Sequence, residues 1–107
     1  MLKTEPKAKL KHPPSLCGAN LRSADLSEAT LTLATLDNAD LTDAKLNQTY
    51  LDGTSMSNVN FTRADLRGAD LGGNPWFRDA IFNRTILPNG SVYDGIGQYP
   101  WTLRCFC

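Results

Sequence analysis

The chain is poor in groups that do chemistry. It has one histidine, His12, and three cysteines, Cys17, Cys105 and Cys107. A structural zinc site takes four ligands, usually in two paired knuckles. No C-x-x-C is present, and the terminal "CFC" alone is a poor ligand set. The sulfurs are therefore expected to be ordinary thiols, with no metal and no cofactor. Net charge is also missing: 11 Lys and Arg balance 11 Asp and Glu. A neutral chain has no global attraction to nucleic acid or an anionic membrane. No apolar run approaches the ~20 residues that span a bilayer. The opening "MLKTEPKAKLKHPP" has lysines but no apolar h-region, so it does not read as a secretory signal. A cytoplasmic protein is expected, or a periplasmic or thylakoid-lumen one if a targeting segment was removed. The motifs G-x-x-x-x-G-K-[ST], G-x-S-x-G and H-E-x-x-H are absent too. No catalytic, cofactor-binding or metal-binding residue is expected, and no enzyme.

What the chain does have is a period. Leu16, Leu21, Leu26, Leu31, Leu36, Leu41, Leu46, Leu51, Met56, Phe61, Leu66 and Leu71 follow one another at five-residue spacing. Two places before each leucine position stands a small residue, as at Ala19, Ala24, Ala29, Thr49, Thr54, Val59 and Ala64. The residue between is often Asp or Asn, as at Asn20, Asp25, Asp40, Asn60, Asp65 and Asp70. On a helix, five residues leave successive leucines roughly 140° apart, which makes no face. On a strand, an odd period sends them to alternate sides. A short extended piece followed by a corner resolves both problems. The small residue and the leucine then point inward, and the corner resets the direction. Stacked at about 4.8 Å, such coils form a solenoid.

"ADLSE", "ADLTD", "ADLRG" and "ADLGG" resemble the A-(D/N)-L-x-x motif of the pentapeptide-repeat family. The resemblance implies an all-β, right-handed quadrilateral β-helix with four sides and about twenty residues per coil. Spacing alone does not separate three corners from four. "ILPNGSVYD" resembles the way many bacterial, especially cyanobacterial, members leave the repeat.

After Leu71 the phase holds only if one residue is inserted between 72 and 76. Phe77, Phe82, Leu87 and Val92 then take the leucine position, which makes about four coils. The expected organisation is a basic, flexible leader at 1–13, a solenoid at 14–92 and a non-repeat aromatic tail at 93–107. Four core columns result. Leu16, Leu36, Met56 and Phe77 form the first, and Leu21, Leu41, Phe61 and Phe82 the second. Leu26, Leu46, Leu66 and Leu87 form the third, and Leu31, Leu51, Leu71 and Val92 the fourth. The other three positions of each repeat are expected to face water and vary freely. In the tail, Tyr93, Tyr99, Trp101 and Phe106 are candidate cap or interface residues. An open solenoid end invites edge-to-edge association, and repeat proteins cover it. An end-to-end homodimer is the other way to cover it.

Two function classes follow. The first is a scaffold or protein–protein interaction module with an unknown protein partner. The alternative, which the family resemblance suggests, is a DNA-mimicking regulator of DNA gyrase or topoisomerase. Mimicry needs a long acidic rod. Residues 16–92 hold nine acids and six bases. A duplex carries one charge per ~1.7 Å, so four coils would need on the order of eleven negative charges. The scaffold reading is the expectation.

Overall fold

The structure, a computed structural model, describes residues 15–73 and 75–93. Through this span every fifth residue makes a single parallel bridge to the residue one coil on. Ser15 pairs with Thr35 and Thr35 with Ser55; Asn20 pairs with Asp40 and Asp40 with Asn60. Asp25, Lys45 and Asp65 form a third such column, and Thr30, Tyr50 and Asp70 a fourth. Four bridge columns mean four sides per coil. The chain is an all-β, right-handed quadrilateral β-helix.

Each side is very short, and its hydrogen bonds explain the motif. The bridging residue points outward, so its two neighbours point inward. The leucine N–H donates to the coil above, as from Leu21 to Asp40 O at 2.9 Å. The bridging N–H donates to the coil below, as from Asp40 to Ala19 O at 3.0 Å. The leucine carbonyl then accepts from the next small residue, as from Ala24 N–H at 3.1 Å, closing a four-residue turn. Only the third residue of that turn has positive φ, which makes it type II.

That third position is where glycine is usually required. Among the described residues ten other than glycine occupy positive φ, including Ser23 at 61°, Leu33 at 64° and Arg84 at 57°. A left-handed L-residue costs roughly 1–2 kcal/mol. What holds it is the ladder: Ser23, Glu28, Leu33 and Asn38 each donate their N–H to the coil above, at 2.8–3.0 Å.

Past Leu71 the bridged partners lie 21 residues apart instead of 20: Ser55 with Trp76, Asn60 with Ile81 and Asp65 with Ile86. The extra residue falls after Gly72. Gly72 has φ 72°, and a Cβ there would sit 3.3 Å from Asp52 Cα. Glycine there avoids both the positive-φ cost and a tight contact with Asp52.

Leucine-position residues from Leu31 to Leu87 are buried. Leu16, Leu21 and Leu26 are half-buried, since no described coil lies beneath them. Phe61 lies under Phe82, their rings stacked 5.1 Å apart at 13°. Phe77 meets both edge-on, at 5.8 and 5.1 Å. Offset-stacked and T-shaped arrangements are the ones the ring quadrupole favours.

Two expectations are corrected here. Val92 does not close the fourth column; it is 61% exposed. The reason is "LPNGS". Pro88 and Asn89 form a turn closed by Gly90 N–H to Leu87 O at 2.8 Å, and Gly90 follows at φ 90°. Proline before a left-handed glycine is hairpin chemistry. The chain reverses, and β1 (Thr85–Ile86) pairs antiparallel with β2 (Val92–Tyr93). Val92 therefore stands opposite Ile86 on the outer face. The repeat ends at Leu87.

The outward positions are also less free than expected. Thr42 is buried, and the Asp and Asn residues beside the leucines are structural. Asp40 Oδ1 accepts from Thr42 N–H at 3.1 Å and from its hydroxyl at 2.6 Å. Asn20, Asp25, Asn60, Asp65 and Asp70 likewise accept the N–H two residues on. These Asx turns start six of the corners, which is why the motif favours Asp or Asn there. Inward threonines are satisfied in turn. Thr49, Thr54 and Thr85 donate to the carbonyls of Leu26, Leu31 and Phe61 at 2.8, 2.6 and 2.7 Å.

Candidate functional surface

The interior is filled, so any function lies on the outer faces and ends. Among the described residues no group of three His, Cys, Asp or Glu could hold a metal. Glu28, Gln48, Tyr50 and Gly68 line a shallow, wide-open hollow. They come from one corner column and the adjoining side. The hollow holds one carboxylate and no nucleophile–base pair, so it lacks the convergent groups catalysis requires.

Three acids on the described faces are ion-paired, two of them between coils. Arg22 reaches Asp40 at 3.1 Å, and Arg63 grips Asp43 with two hydrogen bonds at 2.7 and 3.0 Å. Arg67 folds back on Asp65 at 2.6 Å. These pairs are exposed at the arginine and add little stability each. Their effect is to neutralise three of the acids that a duplex-like stripe would need.

The same contacts shift carboxyl groups. Hydrogen bonds from Ser27 and Thr42 hold Asp25 and Asp40 below the ordinary carboxylate range. The guanidinium groups of Arg63 and Arg67 do so for Asp43 and Asp65. A carboxyl that is more acidic when folded stabilises the fold above its unfolded value of about 3.9, and that contribution is lost as pH falls through the folded value. Thermal unfolding should therefore be nearly pH-independent between about pH 5 and 7 and drop below about pH 4. Asp40→Asn keeps the turn acceptor and should flatten part of the acid limb. A melting temperature unchanged down to pH 2 would contradict this account.

Tyr93 is half-buried, packs against the core and meets Phe82 edge-on at 6.4 Å. Tyr99, Trp101 and Phe106 lie outside the described residues, as do the leader with His12, and Cys105 and Cys107. Cys17 is an exposed free thiol. The sequence pattern did not single out a change in the fourth coil. Its outward bridge positions are Trp76, Ile81 and Ile86, where the coil below has Ser55, Asn60 and Asp65. Trp76 is 58% exposed. The signal was available in the sequence once the extra residue near Gly72 is counted.

The sequence matches the family model described as pentapeptide repeats, in 8 copies over residues 15–38 and 34–73. No curated protein matches it. Among solved structures, it is similar to HetL, a pentapeptide-repeat protein involved in heterocyst differentiation regulation from the cyanobacterium Nostoc sp. strain PCC 7120. That likeness has 28% identity and a TM-score of 0.43, over 74% of this chain and 43% of HetL. It is also similar to a pentapeptide-repeat protein of the Arabidopsis thaliana thylakoid lumen, at 22% identity and a TM-score of 0.30. There the match covers 78% of this chain and 68% of that one.

Proposed function

The chain belongs to the pentapeptide-repeat family, and from that premise we propose that it is a non-enzymatic scaffold or protein–protein interaction module. One observation carries the reading: a filled, four-sided prism whose outer faces are built from an inter-coil ladder that tolerates varied side chains. The turn residues at each corner show this tolerance. Ser23, Asp43, Arg63 and Arg84 share one column position, and all are held by the same backbone geometry. Such a surface can change its recognition residues without changing its fold. Among the described residues no helix is long and apolar enough to cross a membrane.

A regulator that imitates DNA would need a continuous acidic stripe. The Arg63–Asp43 and Arg22–Asp40 pairs break it. The expected partner is a protein, bound through a side or an end of the prism. An end-to-end copy of this chain is one such arrangement. Purified protein at low-micromolar concentration should leave gyrase supercoiling unchanged, and quinolone inhibition with it. Clear inhibition or protection would replace the scaffold reading with the topoisomerase one. The positive test is affinity capture from the native cell, repeated with Arg63→Glu and Arg84→Glu, which recharge one corner column without touching the core. A partner retained equally by the wild type, both variants and an unrelated solenoid would count against specific recognition.

A further inference from the structure

The four sides of the prism are not equivalent. Thr30, Tyr50 and Asp70 form the bridge column of one side, and all three are exposed. On the other sides the bridge residues of the second and third coils are half-buried, Lys45 excepted. Six turn positions flank this side, and Gly53, Gly68 and Gly72 occupy three of them. Neighbouring side chains lean into the space the glycines leave. A Cβ on Gly53 would lie 2.6 Å from Leu33 Cδ2, and one on Gly68 would lie 3.0 Å from Gln48 Cγ. The side thus displays Tyr50, 50% exposed, and Leu33, 63% exposed.

The hollow lined by Glu28, Gln48, Tyr50 and Gly68 opens beside that ring, with a volume of about 490 Å³. It has the size of a small-ligand site without the enclosure of one, so it suits a single side chain of a larger partner. Among the described residues the side chains of Glu28, Gln48 and Tyr50 make no hydrogen bond or ion pair. Asp40, Asp43 and Asp65 are held by arginines; here a carboxylate, an amide and an aromatic ring stand together unengaged. Charge selects the partner. Glu28, Asp52 and Asp70 lie on this side and its corners, and the one base there, Arg67, is bound to Asp65 at 2.6 Å. An arginine fits the set: its planar head stacks on the ring and bonds to the carboxylate, while its stem covers apolar surface.

We propose that this side docks an extended segment of a partner protein, with an arginine of that segment seated in the hollow between Tyr50 and Glu28. The Gln48 side-chain oxygen is a second acceptor for the guanidinium, which has five donors. Leu33 takes an apolar residue of the same segment. It leans over Gly53, three residues from Tyr50, so the two anchors stand roughly 10 Å apart. That is about three residues of extended chain. Acids alone would attract any cation; the ring and Leu33 add the preference for an arginine with an apolar residue three places away. The inference rests on the scaffold reading and gives it a side and a recognition chemistry.

The probe is the peptide acetyl-Arg-Gly-Gly-Leu amide, titrated into the full-length, nitrogen-15-labelled protein. Amide shifts should be largest at Gln48, Tyr50 and Gly68, with smaller ones at Leu33 and Gly53. Replacing the probe's arginine by citrulline keeps its shape and removes its charge, and should weaken binding at least about threefold. Tyr50→Leu and, separately, Glu28→Gln should do the same. Neither side chain bonds to the fold, so both variants should melt within about 4 °C of the wild type. Equal binding of the two peptides, shifts centred elsewhere, or no shift at about 20 mM probe would overturn the inference. The scaffold reading would survive that result, since a partner can use another side; it fails separately, if capture from the native cell yields no specific partner. Shifts at Gln48 and Gly68 that grow with protein concentration in the absence of probe would overturn the inference in favour of a second copy. Tighter probe binding, by about threefold or more, in the variant Lys3→Gln, Lys7→Gln, Lys9→Gln, Lys11→Gln would overturn it in favour of the chain's own leader.

Discussion

Phe61→Ala is expected to lower stability by about 3–5 kcal/mol, the range for truncating a fully buried aromatic. Phe61 is 0% exposed. It supports Phe82 by stacking and Phe77 by an edge contact, so its removal leaves two rings of the fourth coil without a floor. Collapse around the cavity is limited. Each layer is fixed by inter-coil bonds such as Phe61 N–H to Ile81 O at 2.8 Å, which the mutation leaves in place. A rigid frame that cannot close the void is the condition for a cost at the upper end. Phe61→Leu should recover much of the loss, since leucine fills the same column position in the two coils below. Chemical denaturation of the three proteins measures it. A Phe61→Ala loss under about 1 kcal/mol would mean the aromatic stack is not the centre of the core.

Leu46→Ala and Asn47→Ala form the second test, because adjacent residues should behave oppositely. Leu46 is 0% exposed, between Leu26 below and Leu66 above. Its truncation is expected to cost about 2–5 kcal/mol. Asn47 starts the turn. Its backbone carbonyl accepts from Glu28 N–H at 2.9 Å, which alanine preserves, so the substitution removes only a partly exposed side-chain hydrogen bond to Asp65. Its side-chain deletion should cost under about 0.5 kcal/mol. Repeat proteins respond locally to such changes, so the Leu46 loss should appear as increased amide exchange in the neighbouring coils first. Equal losses at the two positions would place the five-residue phase one residue out.

Periodicity by itself excludes helix and continuous strand between Leu16 and Leu71, because a period of five makes no face on either. It also identifies which residue of each repeat meets the core, since alternation across an extended piece is a local, steric property. Even the change from 20 to 21 residues per coil leaves a trace, in the glycines and proline of "LGGNP". These features lie along the chain, so a reading of the chain reaches them.

The rest arises between coils. The number of sides per coil depends on which residues bridge, and Ser15 meets Thr35 only across a whole turn of the solenoid. Positive φ at Leu33 or Glu28 runs against those residues' own preferences. It is decided by an N–H that must reach the coil above. Val92 kept the five-residue phase, yet the hairpin of Pro88, Asn89 and Gly90 turned it outward. There a local turn preference and the repeat competed, and the turn prevailed, with Gly90 N–H closing on Leu87 O and Leu87 N–H donating to Ser91 O. The neutralising pairs of Arg22 with Asp40 and Arg63 with Asp43 likewise join residues 18 and 20 apart. Composition counts such charges, but only the stacking of coils brings them together.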